Sequence, residues 1–227
     1  MDRRSLLEVQ LETLAFCGIA EVTIMVGFGA EAVSEKLESL APAGMRVRTQ
    51  YNPVHAVADN LLTAWLAREH LRGDVLLLNG DTLFEAEVVR RLLGRDEVLA
   101  CAAIHRKPAY DADDMKVTVD TRGCIRRIGK GLNGSRPEGE AIGLTRLRGA
   151  GAEAFQHALE RAVRQCQATR SWYTAALQLL AQRIPLESVD ISGLWWSEID
   201  DPDDLASVRA HLETPASTPR PAVAASR

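Results

Sequence analysis

An α/β fold, with a mostly parallel sheet flanked by helices, is predicted from three features of this 227-residue chain. Short apolar strands alternate with amphipathic helices through the first half, joined by brief connections, as in a helix-covered parallel sheet. The run Asp74–Leu78 (DVLLL) reads as a fully buried strand that stops at Asn79-Gly80-Asp81. The second half turns to a hairpin, further short strands and two helices, so an antiparallel portion is expected beside the parallel one.

Taken in order, Ser5–Cys17 is an expected helix with Leu6, Leu7, Val9, Leu11, Leu14 and Ala15 at its apolar positions. Glu21–Val26 reads as a strand, Gly27-Phe28-Gly29 as a turn, and Ala30–Leu40 as a helix stopped near Pro42 and Gly44. Arg46–Gln50 is a short strand, and Ala58–Leu71 a helix that buries Leu61, Leu62, Trp65 and Leu66. The strand ending at Asp81 leads to a helix over Ala86–Leu93 and a strand over Val98–Ile104. Met115–Val119 and Ile125–Ile128 flank Asp120-Thr121-Arg122-Gly123 and form a hairpin about a tight turn. Ala141–Leu147 is a strand; Ala152–Cys166 and Tyr173–Gln182 are helices. Leu186–Ile191 and Leu194–Ile199 are short strands, and Pro202–Leu212 is a closing helix. From Thr214 onward the Pro-, Ala- and Ser-rich composition predicts a disordered tail over 214–227.

Composition narrows the function. The net charge of -4 argues against a nucleic-acid binder, which needs a basic face. No apolar run approaches the roughly 18 residues of a membrane span, so no membrane partner is expected. The start, MDRRSLLEVQLETL, is helix-like rather than a signal peptide, which makes the cytoplasm the expected compartment. Cys17, Cys101, Cys124 and Cys166 are scattered without a CxxC pair, which disfavours a zinc site or a disulfide framework. Cys17 and Cys101 sit among apolar residues as small core side chains.

A strand that delivers an acid to the carboxyl edge of a sheet places it where ligands bind, so Asp81 is the leading residue for chemistry. Asp200, in SEIDDPDDL after Trp195-Trp196, is a second acid at a strand end. Two such carboxylates could hold Mg²⁺ against a substrate phosphate, since Mg²⁺ takes one or two carboxylates and leaves its other positions to water and phosphate. Asp200, Asp201, Asp203 and Asp204 could equally cap the last helix. The lysines are Lys36, Lys107, Lys116 and Lys130; Lys116 and Lys130 bracket the hairpin, where an ammonium could meet a phosphate rather than only water. Trp172-Tyr173 and Trp195-Trp196 are adjacent aromatic pairs, suited to core packing or to a cage around an ammonium group.

The order YNPVHAVADNLLTAWLAREHL, LLLNGDTLF, DDMKVTVD, RRIGK, EAIGLTRL, SWYTAALQLL, WWSEIDDPDDL resembles the nucleotidyltransferase superfamily. The branch it is most similar to is the phosphocholine cytidylyltransferase-like, CDP-alcohol-forming enzymes. The resemblance runs from about Leu6 to Leu212. It implies a Rossmann-like fold in a single domain, 1–213, whose hairpin and acceptor side spans about 105–198. It also implies transfer of a nucleotidyl group, from CTP as the expected NTP, to a small phosphorylated alcohol, amino alcohol or phosphonate, with pyrophosphate released. By the same resemblance Asp81 and Asp200 bind catalytic Mg²⁺, Lys130 meets the acceptor phosphate, and Lys116 lies in the substrate-side hairpin. Asn60 falls near the nucleotide, as do Asn79 and Gly80 beside Asp81, while Trp172, Tyr173 and Trp196 line the acceptor's head-group pocket. A sugar- or inositol-phosphate nucleotidyltransferase is the close alternative, and a homodimer is an open assembly.

Two departures qualify these expectations. Members of the superfamily open with a strand, a glycine-rich loop of the LAAGxGxR type and a Pro-Lys pair, whereas here DRRSLLEVQLETL, following Met1, matches the helix after that loop. The strand in question would lie between those matching EVTIMV and DVLLLNG. Three outcomes follow: a recorded start that is too late, direct pairing of the two neighbours, or a non-catalytic relative acting as a ligand-binding or regulatory subunit. The chain as written is expected to be weakly active or inactive. Thr174 stands where relatives carry an acidic residue after the Trp-Tyr pair.

Overall fold

In the computed structural model, residues 4–132, 134, 136–165 and 167–213 are described, so the expected tail over 214–227 and Cys166 lie outside them. Helix α1 (Leu6–Phe16) starts at a reciprocal cap: Ser5 Oγ accepts from the Glu8 N–H, and the Glu8 carboxylate accepts from the Ser5 N–H. Then come β1 (Glu21–Val26), α2 (Ala30–Leu40), β2 (Arg46–Tyr51) and α3 (Asn60–Leu66), which tightens into a 3₁₀ turn over Ala67–His70. β3 (Asp74–Leu78), β4 (Thr82–Phe84), α4 (Ala86–Leu93) and β5 (Ala100–His105) follow. The hairpin is β6 (Lys116–Val119) and β7 (Ile125–Gly129), and the long β8 (Gly139–Arg148) leads into α5 (Ala150–Val163). The chain closes with α6 (Thr174–Ala181), β9 (Glu187–Asp190), β10 (Trp196–Glu198) and α7 (Pro202–Glu213).

The α/β class holds. β5 runs parallel to β9, while β8 lies antiparallel between β5 on one side and β3 and β6 on the other. Strands β3, β5, β6 and β9 therefore share one direction, opposed by β8 and β7. β1 and β2 form a separate parallel pair, and β4 and β10 an antiparallel one.

Helices cover both faces of the main sheet. Along β5, Ala100, Ala102 and Ile104 turn towards α3, α5 and α6, packing with Phe155, Leu159 and Leu177. Cys101 and Ala103 turn the other way, onto α1 and α4, with Leu11, Leu14, Val88 and Leu92. This period of two is what a strand buried on both faces must show. Burial pushes the Cys101 thiol up to about 11, so it behaves as a small apolar group.

Three readings are corrected. Asp74–Leu78 is not fully buried: Asp74 is exposed and the four following residues are half-covered. Among the described residues β3 pairs only with β8 and β1 only with β2, so these two strands do not close directly on one another. A strand with one neighbour keeps part of its surface open, which accounts for the partial burial. The helix expected over Ala58–Leu71 is shorter and breaks into 3₁₀ geometry after Leu66. Among the described residues no helix is long and apolar enough to cross a membrane.

Candidate functional site

The site is built where β3 ends. The Asn79 N–H donates to the Gly143 carbonyl at 3.0 Å, the chain turns through Gly80, and Asp81 precedes β4. The turn is held from behind by Gln10 of α1, only 4% exposed. Its Nε2 lies 3.2 Å from the carbonyls of Asn79 and Gly80 and donates to that of Thr82 at 2.8 Å. Gly80 thus contributes a carbonyl to this brace. Gln10 carried no sequence signal, because a lone polar residue in an amphipathic helix reads as solvent-facing.

β4 and β10 pair with Glu198 opposite Thr82, and the Ile199 N–H donates to the Asp81 carbonyl at 3.0 Å. That pairing brings Asp200 beside Asp81, although more than a hundred residues separate them in the chain. Capping of α7 falls to other acids: Asp201 Oδ1 accepts from the Asp203 and Asp204 N–H groups at 2.8 and 2.9 Å, and Asp204 Oδ2 accepts from Asp200 and Asp201. The Asp200 side chain takes no part in that cap.

A cavity of about 240 Å³ opens here, with Asp81, Asp200, Asn60, Asn79, Lys130, Trp172 and Tyr173 all on its wall. The Lys130 ammonium lies 4.8 Å from the centroid of the Trp172 ring, a cation–π contact that restrains it. Thr174 also faces this space, so its difference from an acidic residue changes the charge of the wall itself.

Lys116 and Trp196 are not brought to the cavity. Lys116 is 9% exposed, and its Nζ donates to the carbonyls of Ala112, Asp114 and Lys130 at 3.1, 3.3 and 3.1 Å. An ammonium has three protons, and a buried one must place them all. It therefore braces the loop and the Lys130 backbone instead of reaching for phosphate. Trp196 is half-buried, packed against the core cluster on the α1 and α4 side of the sheet, and meets the His105 ring edge-on at 5.8 Å.

Sequence reasoning missed Glu198 and Glu140. Burial, then the charges of Asp81 and Asp200, push the Glu198 carboxyl up to about 7. Glu140, 6% exposed, is raised by burial; Lys107 opposes this from 3.0 Å and Asp114 adds to it. Despite that ion pair, Glu140 Oε2 lacks a well-directed hydrogen bond. Burial works against the charge of Asp114 as well, but the Lys107 ammonium at 2.8 Å and the Asp111 N–H hold its carboxyl below the usual range. Both stand in quoted segments, EAIGLTRL and WWSEIDDPDDL, but no local periodicity marks either as turned to the cavity. The cavity wall thus carries Asp81, Asp113, Glu140, Glu198 and Asp200 against Lys130 as its cation among the described residues. No group of three His, Cys, Asp or Glu side chains among those residues is gathered tightly enough to hold a metal alone. Asp81 and Asp200 nonetheless offer the hard oxygens Mg²⁺ prefers, with phosphate and water able to supply the remainder.

Comparison with known proteins found a curated relative, CMP-5'-(3-aminopropyl)phosphonate synthase of Streptomyces rubellomurinus, 34% identical over 212 residues. The match takes in 88% of this chain but 33% of that protein, so the chain spans about a third of its relative's length. Among solved structures, the inositol-1-phosphate CTP transferase of T. maritima superposes with a TM-score of 0.71 at 18% identity, covering 91% of this chain and 81% of the other. CTP:phosphocholine cytidylyltransferase of Streptococcus pneumoniae gives 0.69 at 16% identity, over 94% and 87%. No family model matches.

Proposed function

We propose that this chain is a nucleotidyltransferase, as the curated relative and the fold it shares with solved transferases support, and that its cavity carries Mg²⁺-dependent cytidylyl transfer from CTP to a small phosphonate or phosphorylated alcohol. An aminoalkylphosphonate is the first acceptor to try, given the name of the curated relative. The observation that carries the reading is the Ile199–Asp81 backbone bond, which sets two carboxylates from distant segments on one cavity wall.

In the proposed reaction an acceptor phosphonate or phosphate oxygen bonds to the α-phosphorus of CTP. The bridging α–β P–O bond breaks, and pyrophosphate leaves with the electron pair. Catalysis of this kind rests on positioning and charge, without a protein nucleophile. Lys130 offers its ammonium to the acceptor's anionic group, and the Trp172 ring limits where that ammonium can move. Asp81 and Asp200 would hold Mg²⁺, which when bound supplies charge neutralisation to the phosphates. Lys116 and Gln10 hold the backbone of Lys130 and of the Asp81 turn.

The test is pyrophosphate release with each NTP in turn, using 3-aminopropylphosphonate, phosphocholine and inositol 1-phosphate as acceptors. It is run on this chain and on any longer form its gene encodes. Release with CTP and one acceptor is expected; none with any pair in either form overturns the reading. A second reading, a ligand-binding or regulatory subunit, draws support from the excess of carboxylates over the single lysine on the described wall. It would be favoured by nucleotide binding without turnover.

A further inference from the structure

Tyr173 touches two asparagines of the cavity wall. Its backbone N–H donates to Asn60 Oδ1 at 2.9 Å, and its hydroxyl lies 3.1 Å from Asn79 Oδ1. A backbone N–H can only donate, so chemistry alone fixes the Asn60 atom it meets as the carbonyl oxygen. Tyr173 is 6% exposed, and a buried hydroxyl must hand its proton to an acceptor. Asn79 Oδ1 is the acceptor it has, which orients the second amide in the same sense. One residue therefore uses the oxygen of both carboxamides.

What remains of each is an NH₂ group. Neither Nδ2 donates to a protein atom among the described residues, and neither is a buried orphan. Both asparagines line the cavity, so the two donors open onto it. Gly143 supplies the space: at φ +80°, a Cβ there would lie 2.6 Å from Asn79 Nδ2. In a wall otherwise rich in carboxylates, these two amides join Lys130 and Thr174 among the groups that can give protons to a ligand's oxygens.

We propose that Asn60 and Asn79 form a two-donor subsite for hydrogen-bond-accepting oxygens of the substrate, and that Tyr173 is the positioning residue that turns both amides towards it. The inference rests on the transferase reading for the identity of the ligand. Those oxygens belong to the nucleotide or to the acceptor's phosphonate, and separate probes distinguish the two sources.

The experiment follows the side-chain NH₂ resonances of Asn60 and Asn79 in ¹⁵N-labelled protein, titrated with CTP and Mg²⁺ and separately with 3-aminopropylphosphonate. Both resonances are expected to move with the probe that supplies the oxygens. Tyr173→Phe keeps the N–H to Asn60 and removes the hydroxyl to Asn79. It should shift the Asn79 resonance in the free protein, leave that of Asn60, and weaken the probe by about 3- to 10-fold. Asn79→Asp keeps an oxygen for Tyr173 but has no donor, and should weaken binding by roughly 10-fold or more. Its added charge repels phosphate on its own, so the double variant is decisive. A residue acting through Asn79 adds less than about 2-fold on the Asn79→Asp background. Failure of both resonances to respond to either probe, or losses that multiply fully in the double variant, overturns the proposal. Amides that respond in a protein releasing no pyrophosphate would defeat the transferase reading and leave this one standing.

Discussion

Asp81 and Asp200 reach the cavity from distant segments joined by the β4–β10 pairing and the Ile199–Asp81 hydrogen bond, so each should matter separately. Replacing either with Asn keeps its size and removes a charge that Mg²⁺ would need. Pyrophosphate release is expected to fall by about 10²-fold or more in each variant, with thermal unfolding little changed. Glu198 gives a pH signature. Its folded pKa, about 7, lies above the usual carboxylate value, so its ionisation opposes folding. The sign follows: relative stability is full below the unfolded pKa and is lost as pH rises from about 4.5 through 7. Urea midpoints of the metal-free protein should decline over that range, and Glu198→Gln should flatten the decline. Lys116→Met tests the corrected role of that residue. With carbonyls of the loop and of Lys130 left without a donor, stability should drop by about 2 kcal/mol in urea titration, with a loss of activity that added substrate does not restore.

At the scale of elements, α1 does more than cover the sheet. Its apolar face packs against α4 through Leu11 and Leu14, while Gln10 satisfies the carbonyls of the turn before β4. Gln10→Ala should therefore cost about 2 kcal/mol by thermal or urea unfolding, and should lower activity because the Asp81 turn loses its brace. The helix itself should stay formed, since Ser5 and Glu8 cap it independently. The α1, β1, α2 and α4 segments were legible in the sequence to within a residue or so, because their periodicity and stop signals are local. β4 was not: three residues carry too short a pattern, and Thr82–Phe84 becomes a strand only because β10 lies against it.

Across the whole molecule, stability should be uneven. β5 and β8 are paired on both sides and buried on both faces, whereas β1 and β3 each have one partner among the described residues. Hydrogen exchange should be slowest in β5 and β8 and clearly faster in β1 and β3; uniform protection across all four strands would contradict this view. The sequence by itself determined the α/β class, the elements of the first half, and the acids that end their strands. It did so because helix and strand periods, glycine turns and strand-end carboxylates are written in neighbouring residues. Tertiary structure decided which of the two hairpin lysines faces the cavity, which tryptophan lines it and which packs against the core, and which carboxylates share a wall. Those outcomes depend on contacts such as Lys116 with Lys130 and Asp81 with Ile199. A side chain's direction is settled by whichever distant carbonyl, ring or charge the fold sets beside it, and no local pattern encodes that.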